Sequence, residues 1–101
     1  MRLLEIHRPL DIIQLTAEEA EILFDFVVEL REAQKTHPAF PTLHHGLAVI
    51  EEELEELRRE VFNRNPDASR CRKEALQVMT MGFRFILDLI STVQKREDTF
   101  K

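Results

Sequence analysis

The chemistry in this sequence concentrates in Glu51-Glu52-Glu53-Leu54-Glu55-Glu56-Leu57, followed downstream by Glu74-Ala75-Leu76-Gln77. Oxygen ligands at helical spacing suit hard cations, Mg²⁺ or Mn²⁺. A helix over 43–62 puts Leu47, Ile50, Leu54, Leu57 and Val61 on one apolar stripe. At about 100° per residue, Glu53, Glu56 and Glu60 then gather beside that stripe, with Glu52 and His45 at their far edge. Glu51 and Glu55 point elsewhere. Carboxylates along the flank of a buried seam repel one another, and a cation relieves that repulsion. A glutamate run alone reads better as a solvated helix face. The second group at 74–77 is what argues beyond it.

The elements that must position these groups are helical. Thr16-Ala17-Glu18-Glu19 has the form of a capping box, which predicts a first helix over 17–35. Its expected apolar face is Ala20, Leu23, Phe24, Val27 and Leu30. His37-Pro38-Ala39-Phe40-Pro41 reads as a loop, since each proline pushes its predecessor out of the helical region. Thr42 is the expected N-cap of the second helix, which should end near Phe62. Asn63-Arg64-Asn65-Pro66 reads as a turn, with Asn65 as cap and Pro66 at the first position of a third helix over 66–95. That helix is apolar almost all round, which calls for cover on most sides and favours self-association. One polar stripe crosses it: Glu74, Gln77, Arg84 and Asp88. Polar groups on a buried helix need partners. The carboxylate flank of the second helix is the expected one, with the i, i+3 pairs Glu53/Glu56 and Glu74/Gln77 face to face.

With 101 residues, 44% of them hydrophobic and 33% charged, and only two glycines, the chain reads as one all-α domain. The expected architecture is a bundle of about three helices completed by dimerisation. An apolar arm over 1–15 precedes it and a frayed tail over 96–101 follows. A net charge of -5 argues against nucleic-acid binding, which needs basic surface. No apolar run approaches a membrane span, and charges interrupt the N-terminus where a signal peptide would be apolar. The lone Cys71 forms no internal disulfide and reads as an inert thiol in a reducing compartment. A cytoplasmic protein is the expectation.

The Glu52-Glu53-Leu54-Glu55-Glu56 stretch resembles the E-E-x-x-E motif of the MazG-like all-α nucleoside-triphosphate pyrophosphohydrolases. Glu74-Ala75-Leu76-Gln77 resembles their E-x-x-D with the aspartate changed. The lead-in His44-His45-Gly46-Leu47-Ala48-Val49-Ile50 and the stretch from Glu74 through Asp88 are similar to a small MazG-like subgroup, so the resemblance spans about residues 34–90. It implies Mg²⁺- or Mn²⁺-dependent hydrolysis of a nucleoside triphosphate to a monophosphate and pyrophosphate by a homodimer or higher oligomer. Carried over, Glu53, Glu56 and Glu74 are metal ligands, Gln77 stands at the fourth ligand position, and Glu52 is a neighbouring ligand or orients the attacking water. Glutamine offers an amide oxygen but no charge, so the site should hold Mg²⁺ more weakly. Asp88 lies roughly three helical turns beyond Gln77 and does not replace it.

Two further residues are candidates for substrate contact. Arg84 is placed either to contact a phosphate or to pair with Asp88 at i, i+4. His45 stands at the edge of the carboxylate group. The bland reading of His44 and His45 is a pair at a helix N-terminus, and no cysteine sits at zinc spacing from them. The rival to the enzyme is a non-catalytic helical dimer acting in protein interaction or nucleotide sensing. Gln77 favours it.

Overall fold

Local capping explains where the helices begin. In the computed structural model, residues 14–91 are described; most of the expected arm over 1–15, the expected end of the third helix over 92–95 and the expected tail over 96–101 lie outside them. Helix α1 runs Ala17–Thr36, α2 Leu43–Val61 and α3 Ala68–Phe85, and α3 continues through one π-helical turn, Ile86–Ile90. At α1 the capping box forms in full: Thr16 Oγ1 accepts from Glu19 N–H at 3.1 Å and Glu19 Oε1 accepts from Thr16 N–H at 2.9 Å. At α2, Thr42 Oγ1 accepts from His45 N–H at 3.0 Å.

The start of α3 differs from the expected Asn65 cap and Pro66 first position. Asp67 is the cap, and its Oδ1 accepts from Ser69 N–H at 2.8 Å and Arg70 N–H at 3.4 Å. A charged acceptor that meets two orphan N–H groups beats an uncharged amide. Asn63 instead closes the turn by accepting from Asn65 N–H at 3.1 Å.

All described elements are helical, with no strand among them. Helix α3 is the shared partner, packing on α2 along one side and on α1 along another. Two small cores result. One joins Ala33, Phe40, Met81 and Leu89, with Val49, Ile50 and Phe85 against it; the other joins Phe26, Leu30 and Leu76. Gly46 marks the close approach of α2 to α3. It is buried, and a Cβ there would lie 2.7 Å from Phe85 Cδ2 and 3.0 Å from Leu89 Cδ1.

Two helix faces are rotated from expectation. The buried line of α1 is Phe26, Leu30 and Ala33, whereas Phe24 is 69% exposed. Apolar residues occur on both sides of α1, so periodicity alone did not choose between them. On α2, Leu47, Leu54 and Val61 are about half exposed, whereas Ile50 and Leu57 of the same stripe are half-buried, as are Glu53, Glu56 and Glu60. The side turned to α3 carries the carboxylates together with part of the apolar stripe. Met79, Phe83, Ile86 and Leu87 also remain exposed on α3 and its π turn, so the described helices leave that apolar surface only partly covered.

Candidate metal centre and cleft

One carboxylate oxygen each from Glu53, Glu56 and Glu74 fall within 4.8 Å of one another, and all three residues are half-buried. The i, i+3 spacing puts Glu53 and Glu56 on the inner face of α2, and α3 brings Glu74 across to them. Their electrostatics bear the mark of crowding. Glu53 is pushed up to about 7, first by burial and then by the charges of Glu56 and Glu74. Glu74 is also raised, by burial and then by Glu56. Glu60 continues the line on α2, but Arg70 Nε reaches its Oε2 at 3.1 Å, so that carboxylate is already matched with a cation. Three converging carboxylates that form no ion pair with a lysine or arginine among the described residues make a hard-oxygen donor set that suits a divalent ion.

Gln77 lies one turn beyond Glu74, but its amide is engaged elsewhere. Its Nε2 donates to Glu29 Oε2 of α1 at 2.7 Å. Glu29 thereby enters the edge of the site, where a cavity of about 230 Å³ is lined by Glu29, Glu32, Gln77 and Glu53. The sequence reading missed Glu29. Its signal was available: Glu29 and Glu32 repeat the i, i+3 spacing of Glu53 and Glu56.

On the other side of Glu53 a larger cleft opens, about 610 Å³. That is within the usual span for small-molecule sites. Phe40, Val49 and Met81 give it apolar walls, and Glu52 and His45 also line it. Glu52 is exposed and stands beside the carboxylate trio rather than within it. The His45 ring lies 6.0 Å from that of Phe40.

Of the two alternatives for Arg84, the structure shows the pair with Asp88. Arg84 is 2% exposed, its Nη2 donates to the carbonyls of His37 and Pro38, and its Nε lies 3.8 Å from Asp88 Oδ2. The guanidinium also lines the cleft, with these carbonyl and carboxylate contacts already holding it.

No helix of the described residues is long and apolar enough to cross a membrane. No known family model, curated protein or solved structure matches the chain.

Proposed function

We propose that this chain is a divalent-cation-dependent nucleoside-triphosphate pyrophosphohydrolase of the MazG-like type. The observation that carries the proposal is the half-buried Glu53, Glu56 and Glu74 trio, of which Glu53 also lines a cleft of about 610 Å³. Triphosphate chemistry needs charge neutralisation at the phosphates and a surface for the base. The trio fits the first need and the Phe40, Val49 and Met81 walls fit the second.

In this reading Glu53, Glu56 and Glu74 hold Mg²⁺ or Mn²⁺. An ion held there would neutralise phosphate charge and make a water molecule a better nucleophile. Glu52, exposed at the cleft edge, orients that water, while Phe40 and Met81 pack against the base and His45 closes the side. The reading includes self-association, because Leu47, Leu54 and Val61 form a half-exposed apolar line along α2. Light scattering that finds a stable monomer at micromolar concentration contradicts that part.

One observation favours the rival, a non-catalytic helical dimer in protein interaction or nucleotide sensing. Gln77 brings no charge to the site and is turned to Glu29. The experiment that separates the two is a panel of ribo- and deoxyribonucleoside triphosphates with Mg²⁺ or Mn²⁺, assayed for released pyrophosphate. Turnover of at least one of them supports the enzyme. Saturable nucleotide binding without turnover supports the rival.

A further inference from the structure

Segment 37–41 forms one wall of the cleft, yet it belongs to no helix. Prolines at both ends of it remove backbone donors, and a short irregular segment must find partners for the N–H and carbonyl groups that remain. His37 N–H bonds to Ala33 O of α1, and the side-chain partners come from two residues of a single helical stretch. Arg84 Nη2 donates to His37 O at 3.2 Å and to Pro38 O at 2.6 Å. Asp88 Oδ2 accepts from Phe40 N–H at 3.2 Å. The Arg84 guanidinium carbon lies 4.8 Å from the centre of the Phe40 ring, within cation–π range. A charge buried this deeply is stable only with such partners, and the carboxylate that balances it also holds the segment.

The π turn contributes to this arrangement. Ser91 N–H bonds to Ile86 O, an i→i+5 contact that widens the helix where Asp88 sits. Arg84 precedes the widened turn and Asp88 lies within it. Together they grip the segment at two carbonyls, one amide and one ring.

We infer that Arg84 and Asp88 are positioning residues, which set where the Phe40 wall stands and so how well the cleft fits a nucleotide base. The inference rests on the proposed function for the identity of the occupant, but not for the clamp itself. Asp88 is not among the residues that line the cleft, and Arg84 lines it with its guanidinium engaged by the His37 and Pro38 carbonyls. Loosening the clamp should therefore weaken substrate binding more than it slows the chemical step.

Two arms test this and can fail separately. The chain has no tryptophan or tyrosine, so Phe40→Trp places a single indole reporter in the wall. In that background, Arg84→Met and Asp88→Asn should red-shift the emission and increase acrylamide quenching, with the helical circular dichroism unchanged. Arg84→Lys, which keeps the charge and part of the reach, should fall between. Should Arg84→Met fail to fold, Asp88→Asn and Arg84→Lys decide the arm. Emission and quenching that do not move in the folded variants overturn the clamp.

The second arm uses the otherwise unaltered chain. Asp88→Asn and Arg84→Lys should raise KM for the turned-over triphosphate by on the order of tenfold to a hundredfold, with kcat changing much less. A loss confined to kcat, or the same loss in both variants with no change in KM, overturns the positioning role. Absence of turnover in the wild type counts against the proposed function, and the fluorescence arm still decides the clamp.

Discussion

Gln77 of α3 donates its amide to the Glu29 carboxylate of α1 at 2.7 Å. This bond ties α1 to the edge of the carboxylate trio and gives the uncharged residue at position 77 a partner of its own. An aspartate there would face Glu29 as a like charge.

Gln77→Asp should therefore lower the melting temperature of the metal-free protein, and Mg²⁺ or Mn²⁺ should restore more stability to it than to the wild type. A thermal double-mutant cycle between Gln77→Ala and Glu29→Ala should give a coupling of about 1.5 kcal/mol, the low end for a hydrogen bond to a charged group, as suits a half-buried site. A coupling of zero would remove Glu29 from the site.

Glu53 makes the metal-free fold pH-dependent. Its folded value is raised from 4.5 to about 7, so the native state holds a proton that the unfolded state has released. The contribution of this group to stability is fully present below 4.5 and is lost as the pH rises through about 7. In a chelator, the melting temperature of the wild type should fall relative to that of Glu53→Gln across this window and level off above it. A saturating divalent cation should remove the difference in slope, because it takes the place of the proton. A wild type that gains stability over Glu53→Gln as pH rises in chelator would contradict the burial and crowding of Glu53.

Gly46→Ala should destabilise the protein despite the better helix propensity of alanine. Overpacking against the Phe85 ring and Leu89 costs about 1–3 kcal/mol, against a propensity gain of up to about 1 kcal/mol. The expected net change is a fall of a few degrees in melting temperature. Gly82, where a Cβ meets nothing within 4 Å, is the control, and Gly82→Ala should not destabilise. Equal behaviour of the two variants would mean that α2 and α3 do not approach so closely.

The parts of this structure that the sequence made legible are local or periodic. Thr16 and Thr42 cap as their own side-chain chemistry requires. Glu53 and Glu56 share a face because helical spacing leaves no other choice, and Glu74 meets them because α3 packs along α2. The Asp67 cap was hidden by its neighbours, since Asn65-Pro66 presents a weaker version of the same signal. The face that α1 buries was hidden for another reason. Phe24 and Phe26 lie on different sides of a helix that is apolar on both, and tertiary packing made the choice. Glu29 and Glu32 show the i, i+3 spacing locally, but the bond from Gln77 to Glu29, like the hold of Asp88 on Phe40, joins residues nearly fifty positions apart, which no local pattern encodes.

The central claim is that Glu53, Glu56 and Glu74 hold a divalent ion that serves triphosphate hydrolysis. Its most direct test is pyrophosphate release from the nucleotide panel, measured as a function of Mn²⁺ concentration for the wild type and for Glu56→Gln. The account predicts no release in chelator and a saturable rise with Mn²⁺ in the wild type. It predicts that Glu56→Gln falls by on the order of a hundredfold or more, in line with the several kcal/mol that a metal contributes to such a step. Release that ignores the metal, equal release by Glu56→Gln, or no release from any triphosphate would contradict it.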